Sequence, residues 1–332
     1  MNFLKRAISC SAITLSSLLL TLFIMEACYR FFLIDFYQSQ FEYLNNDLID
    51  GDSYRHENDR ILIFGDSFSA DSNSYVKLLR DSMSQYHILN AAIPGTTIRE
   101  ASIMQSHRLQ QTKPTKIIYQ IYIGNDLIEW RHPYEGKGLS MARKLYWWLS
   151  DRIWVVSYIN RQLPYVRSSF SEDLLAGKHI EKPFNKELYS SRTKLYCKAQ
   201  ANFLEDAILM RSSYEKIIES YFERLMKFIA KVPADVELVL LIIPDKVQIS
   251  MDYLSHLSLL GCNTSSELLS SSYPLMRAFE NLEKSFSHVS IINPIEELRQ
   301  KNKIKQVYYS NDSHLNEYGQ KVLGEYVLFN LE

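Results

Sequence analysis

The sequence predicts an α/β protein of three layers, a five-stranded parallel sheet covered by helices on both sides. Three observations carry this. Five short, near-continuous apolar runs are each halted by a turn signal, helical patterns lie between them, and the reactive polar residues fall just after the runs. Strands buried on both faces read as continuous apolar runs, whereas half-exposed strands alternate. Strands separated by helices imply βαβ units and one open sheet.

The runs can be placed in order. Residues 61–64 (ILIF) stop at Gly65, and 88–92 lead to Pro94-Gly95. Residues 117–123 stop at Gly124, 236–243 at Pro244, and 289–292 at Asn293-Pro294. Between the third and fourth runs, Tyr214, Ile217, Ile218, Tyr221, Phe222, Leu225, Met226 and Ile229 recur at helical spacing. Glu215, Lys216, Glu219 and Lys227 are left on the outer face. Tyr318, Val322, Leu323, Tyr326 and Val327 mark a closing helix.

Residues 130–211 interrupt the alternation. The segment is too long for a loop, carries no clear strand, and holds all four tryptophans (Trp130, Trp147, Trp148, Trp154) in its first 25 residues. It reads as an inserted helical lid or subdomain. Its aromatics suit stacking on sugar rings or lying against a membrane, but simple packing is the expectation for most of them.

The N-terminus has a different chemistry. Residues 7–25 contain no charge and follow Lys5 and Arg6. About 20 apolar residues in a helix span a bilayer core. From 26 to 50 one basic residue, Arg30, faces five acidic ones. The positive-inside rule then leaves 1–6 as a cytoplasmic tail and exports the rest. A bacterial inner membrane protein with a periplasmic or extracellular domain is expected. Tyr29, Phe31, Phe32, Phe36 and Tyr37 suit the outer interface, and 26–58 reads as a juxtamembrane spacer before a domain at 59–332. The competing reading, a cleaved signal peptide, lacks a small-x-small cleavage site, and Met25-Glu26-Ala27-Cys28 is a poor lipoprotein box.

Bulk properties narrow the classes. Net charge is −1, from 37 basic and 38 acidic residues, without the basic field a nucleic-acid binder needs. The 46% hydrophobic content of the 332 residues supports a large core, and 10 Gly with 9 Pro exclude a linker-rich chain. Cys10 and Cys28 fall in or beside the apolar segment. Cys197 and Cys262 lie in the exported part, where a disulfide is permitted, although two unrelated buried thiols are the simpler expectation. No Cys/His spacing indicates zinc, and no metal or cofactor is expected.

Four stretches carry the chemistry. Ser67 in Gly65-Asp66-Ser67 stands at the end of the first run, where open α/β sheets place ligands. A serine hydroxyl is a weak nucleophile until a base takes its proton, and alone this tripeptide is only a turn with a helix cap. Gly95 ends the second run, where its N–H can approach a substrate oxygen. Asn125, in Gly124-Asn125-Asp126, offers a side-chain amide to the same oxygen, unless it merely caps a loop. His314 is singled out among eight histidines by Asp312-Ser313-His314 before the closing helix. Its ordinary pKa near 6.5 suits proton relay.

Together these stretches resemble the blocks of the SGNH branch of the GDSL esterase/acyltransferase superfamily. Gly65-Asp66-Ser67-Phe68 is similar to the first block, Gly95 to the second-block glycine, Asn125 to the third-block asparagine and His314 to the histidine of the last block, across roughly 60–330. The resemblance implies a flavodoxin-like three-layer fold, a triad of Ser67, His314 and Asp312, and an oxyanion hole of the Ser67 and Gly95 N–H groups with the Asn125 amide. Two departures stand out. The family's aspartate three before the histidine is here Asn311, leaving Asp312 to reach the imidazole from two before, as i and i+2 do in an extended segment. The third-block glycine, Gly124, adjoins Asn125 instead of preceding it by two.

The implied reaction is attack on an ester through an acyl-serine intermediate. With water as acceptor the protein is an esterase on acyl, such as acetyl, groups of a surface or wall glycan. With a sugar hydroxyl it is an O-acetyltransferase of an exported polysaccharide. Ile243-Pro244-Asp245-Lys246 is similar to a Pro-x-Lys element of polysaccharide acetylation proteins, which points to glycans and to polysaccharide-assembly partners. A reading from another class is a non-catalytic glycan-binding component that has kept the fold.

Overall fold

The computed structural model describes residues 2–45, 59–168 and 182–331, with 2–8 and 163–168 as backbone only. Five strands, β1 (Asp59–Phe64), β2 (Tyr86–Asn90), β3 (Lys116–Tyr122), β4 (Glu237–Ile243) and β5 (Val289–Ile292), form one sheet of order β2-β1-β3-β4-β5. Every pairing is parallel, with Ile61 opposite Ile88 and Lys116, Ile118 opposite Val239, and Leu240 opposite Ile291. All five apolar runs contribute strands, buried on both faces in β1, β3 and β4 and half-covered in the edge strand β5, where Ser290 and Ile291 are only half-buried. Burying each large aliphatic is worth about 1.5–3 kcal/mol, so a shift in register would be costly.

Two groups of helices cover the sheet. Tyr75–Ser82 packs with Glu317–Leu331, which also meets Ile295–Asn302. Ile98–Thr112 packs with Glu215–Ile229, whose buried residues Ile218, Tyr221, Leu225, Phe228 and Ile229 keep the helical spacing read from the sequence. The chain runs outward from β1 to β2, then returns past β1 to β3 and continues outward the other way. The order reverses between β1 and β3, and that switch point opens a crevice at the carboxyl ends of the strands.

The insert is helical, with helices at Met141–Arg152, Trp154–Ser168, Ser191–Ala199 and Phe203–Ile208 and no strand among its described residues. A disulfide joins Cys197 to Cys262, fastening the insert to the turn after the Met251–Leu259 helix. This corrects the expectation of two unrelated thiols. Sequence spacing carries no information on a contact made across 65 residues. The tryptophans divide. Trp147 is buried and Trp130 donates its indole N–H to Ser220 at 2.7 Å, whereas Trp148 is exposed.

One helix, Asn2–Arg30, contains a stretch (Ser9–Arg30) long and apolar enough to cross a membrane. Several of its apolar side chains, among them Ile13, Leu18, Leu20 and Phe23, are left uncovered by the protein. The residues that follow depart from the expected spacer. Tyr29 and Tyr37, read as membrane-interface aromatics, are each only 1% exposed. Their hydroxyls bond each other at 2.7 Å, and both rings pack on Tyr158 of the insert. Phe36 packs on Tyr158 too, Phe32 is half-buried against His107, and Phe31 alone of the five is open. Phe41 and Asn45, beyond them, are also buried. An amphipathic tyrosine suits an interface of either kind, and here the insert supplied the nearer one. The rest of that spacer, 46–58, lies outside the described residues.

Candidate active site

The switch point brings the predicted residues together. Ser67 opens a short helix, Ser67–Ala70, directly after β1, and Asp66 caps it by accepting the Phe68 N–H at 3.0 Å. Ser67 Oγ lies 2.7 Å from His314 Nε2, a contact spanning 247 residues of sequence. His314 Nδ1 bonds Asp312 Oδ1, and the same oxygen accepts the His314 backbone N–H at 2.8 Å. Asp312 therefore reaches the ring as expected, but through a bend and not an extended segment. A carboxylate that takes the N–H two residues on forms an Asx turn, and this turn carries the imidazole back onto its own acceptor. The Phe68 ring stacks on His314 at 5.1 Å between centroids, closing one face of the imidazole.

Gly95 and Asn125 line the same cavity as Ser67 and His314. Gly95 sits at φ +71°, where a side chain would be strained. The Asn125 Nδ2 donates to Asp66 Oδ2 at 3.0 Å, which uses one amide hydrogen and fixes where the other points. Asp66 thus caps the Ser67 helix with one oxygen and orients Asn125 with the other, a second task the tripeptide gave no sign of. Gly124, next to Asn125, is required because a Cβ there would collide with the Tyr122 ring and the Asp245 carboxylate. Tyr122 donates its hydroxyl to that carboxylate at 2.7 Å.

The loop that carries Asp312 and His314 is held from two sides. Lys246, buried just after β4, donates to the carbonyls of Tyr309 (2.8 Å), Ser310 (3.1 Å) and Asp312 (2.9 Å). Asn311 accepts the Asn185 N–H at 2.7 Å and donates its amide toward the Pro183 carbonyl at 3.0 Å. An aspartate could accept the first bond but would face the carbonyl without a proton to give. The departure at 311 is therefore explained by a contact with the insert. The likeness of residues 243–246 to a glycan-related element does not reveal this role of Lys246; the signal for it is its place after β4, at the same sheet edge as Ser67 and Asn125. Arg161, which bonds the Gly95 carbonyl, gave no sequence signal at all.

Electrostatics suit a base at 314. Burial, the largest single influence, pushes the His314 pKa down, but the hydrogen bond and charge of Asp312, with the charges of Asp66 and Asp71, outweigh it and raise it above the ordinary value. Burial raises Asp66, opposed by its bonds from Phe68 and Asn125 and by His314. Asp126, behind it, is pushed up further by burial and by the Asp66 charge. The Asp126 carboxyl therefore holds its proton more readily and leaves the negative charge nearer the imidazole. Burial lowers Lys246 to about 8.

The cavity over the triad has a volume of about 970 Å³. Much of its wall comes from the insert, through Arg143, Tyr146, Trp147, Tyr189, Arg192 and Tyr196. Arg192 pairs with Glu129, and the His132, Trp147 and Tyr196 rings cluster in near-parallel planes, each in contact with the other two. Among the described residues no group of three or more His, Cys, Asp or Glu side chains could hold a metal ion.

A serine, an imidazole and a carboxylate in hydrogen-bonded series, at the switch point of a parallel sheet, define a serine-hydrolase type of site. The strand order and the placement of each block agree with the resemblance to the SGNH branch of the GDSL superfamily. No protein-family model matches the sequence and no curated protein matches it. Among solved structures, an acetyl xylan esterase aligns over 82% of this chain and all of its own (100%), at 11% identity and TM-score 0.40. A lipase/acylhydrolase from Enterococcus faecalis aligns over 82% of this chain and 95% of its own, at 11% identity and TM-score 0.39. A lipolytic protein of the G-D-S-L family from Veillonella parvula covers 81% and 96%, at 10% identity and TM-score 0.39. Likeness of this size carries no argument about function.

Proposed function

We propose that this chain is a membrane-anchored serine ester hydrolase that removes acyl groups, such as acetyl, from a cell-surface or wall glycan. The observation that carries the chemistry is the 2.7 Å contact between Ser67 Oγ and His314 Nε2, with Asp312 on the opposite ring nitrogen. Ser67 attacks the ester carbonyl as His314 takes its proton, and Asp312 holds the tautomer and stabilises the imidazolium. The oxyanion is received by the Ser67 and Gly95 N–H groups and the free hydrogen of the Asn125 amide. Each such donor is worth roughly 3 kcal/mol in the transition state. His314 returns the proton to the departing sugar oxygen, and water then clears the acyl-serine by the reverse steps.

Support for the anchor comes from the residues beyond the apolar run. Glu26 accepts the N–H groups of Trp154 and Val155 at 2.9 and 2.8 Å, and Tyr29 is in the core. Cleavage beyond Tyr29 would remove these contacts, and cleavage anywhere after the run would remove those of Leu22 and Met25, which are half-buried against the domain. Support for a glycan is the aromatic lining of the cavity, to which Tyr146, Trp147, Tyr189 and Tyr196 contribute. The cavity lies near the upper end of the ~300–1,000 Å³ usual for small-molecule sites. That size favours a second reading, transfer to a sugar hydroxyl, because it leaves room for an acceptor beside the acyl group.

The test uses the full chain in detergent with 4-nitrophenyl acetate, beside Ser67→Ala and His314→Ala. We expect each variant to lose about 10³-fold or more. Equal rates in all three would overturn catalysis in favour of a binding component. Adding a glycan acceptor and measuring acetylated sugar by mass spectrometry separates transfer from hydrolysis.

A further inference from the structure

The Met141–Arg152 helix has two distinct faces. One lines the catalytic cavity through Arg143, Tyr146 and Trp147. The opposite face carries Met141, Leu145 and Trp148, which are 79%, 58% and 40% exposed. At i, i+4 and i+7 these three form one stripe, which Arg152 extends at i+11. The Arg152 guanidinium lies 4.3 Å over the Trp148 ring, and Lys144 flanks the stripe. Contiguous exposed apolar surface rimmed by polar residues is the composition of sites that meet a partner or a membrane.

The position of the stripe indicates which. The helix ends against the apolar Asn2–Arg30 helix: Arg30 donates to the Arg152 carbonyl at 2.5 Å and lies 4.1 Å over the Trp154 ring. Leu22 and Met25 are half-buried against the domain, so contact begins before the uncharged run has ended. This edge of the domain therefore sits at the level where the apolar helix leaves its lipid. Phe31, Leu33 and Ile34, just beyond that helix, are exposed as well. Tryptophan and arginine beside apolar side chains are the composition of helices lying in a membrane interface.

We propose that the Met141, Leu145 and Trp148 stripe rests in the interfacial layer of the bilayer that the Asn2–Arg30 helix spans, with Arg152 and Lys144 on anionic phospholipid headgroups. This rests on the reading of that helix as a retained anchor. The bilayer then supports one wall of the catalytic cavity, because the residues on the other side of the same helix line it.

The test is site-directed spin labelling of the full chain in vesicles of phosphatidylglycerol and phosphatidylethanolamine, in a Cys10→Ser, Cys28→Ser background that leaves the native disulfide intact. Nitroxides are placed singly at Leu145→Cys, at Leu18→Cys in the apolar helix, and at Ile304→Cys, an exposed position elsewhere. Accessibility is read with oxygen, which concentrates in lipid, and a water-soluble nickel chelate. Labels at 18 and 145 are both expected to show an oxygen-to-nickel ratio several-fold above that at 304. An immersed label at 18 with a water-like ratio at 145 overturns the stripe proposal alone. A label at 145 shielded from both reagents also overturns it, since that is the signature of a protein partner or second copy. A water-like label at 18 overturns the anchor, and the proposal with it.

Discussion

Arg161 Nη1 donates to the Gly95 carbonyl at 2.8 Å, while its Nη2 bonds Glu100 at 2.8 Å and the Tyr37 hydroxyl at 3.1 Å. One guanidinium thus ties the glycine of the proposed oxyanion hole to the segment that follows the apolar helix. The fork geometry matters, because lysine offers a point charge where arginine offers several fixed donors.

Arg161→Lys is expected to lower kcat by about 10-fold with little change in KM, as a misplaced oxyanion donor acts in the transition state. Arg161→Ala leaves the Glu100 charge buried without its partner and is expected to destabilise the fold by about 3–5 kcal/mol. Denaturant unfolding alongside steady-state kinetics separates the two effects. Unchanged kcat in the lysine variant would show that Gly95 is held by other means.

The raised pKa of His314 predicts the acid side of the pH profile. The imidazole works as a base only when neutral, so kcat/KM rises with pH through the His314 pKa, and the inflection falls above about 6.5. Asp312→Asn removes the main influence raising that pKa. The inflection should then move to lower pH while the plateau falls by about 10³-fold or more. A pH series with both proteins checks both directions.

Lys246 predicts the alkaline side. Below about 8 its ammonium donates to three carbonyls of the triad loop. Above that pH one hydrogen is lost and a lone pair faces a carbonyl, so activity should decline with an inflection near 8. Lys246→Met should be slower throughout and lack that inflection. A profile for the methionine variant with the same alkaline limb would assign the limb elsewhere.

The Cys197–Cys262 bond predicts a redox-dependent stability. Closing a loop of this length contributes about 2–5 kcal/mol, mainly by restricting the unfolded chain. The Cys197→Ala, Cys262→Ala protein should unfold at lower denaturant than the oxidised parent and be unaffected by dithiothreitol. The parent should lose the same increment on reduction.

Much of the site is legible in the sequence because it is written locally. Ser67, Gly95, Asn125 and His314 each sit one step beyond an apolar run or before a closing helix, and a parallel sheet brings all its strand ends to one edge. The amphipathic spacing of 214–229 specified its helix for a similar reason, since the pattern and the structure share a period. Asp66 was half legible: its capping role follows from its place before Ser67, while its hold on Asn125 is a contact across 59 residues.

The sequence by itself determined the sheet, the identity and order of the reactive residues, and one helix fit for a bilayer. These depend on short-range periodicity, turn chemistry and hydrophobicity. Tertiary structure alone decided that Arg161 braces Gly95, that Lys246 and Asn311 hold the His314 loop, that Cys197 meets Cys262, and that Tyr29 and Tyr37 belong to the core. Each of these is a pairing between side chains distant along the chain. No local pattern encodes such a pairing; only the packing of the insert and the sheet loops against one another selects it.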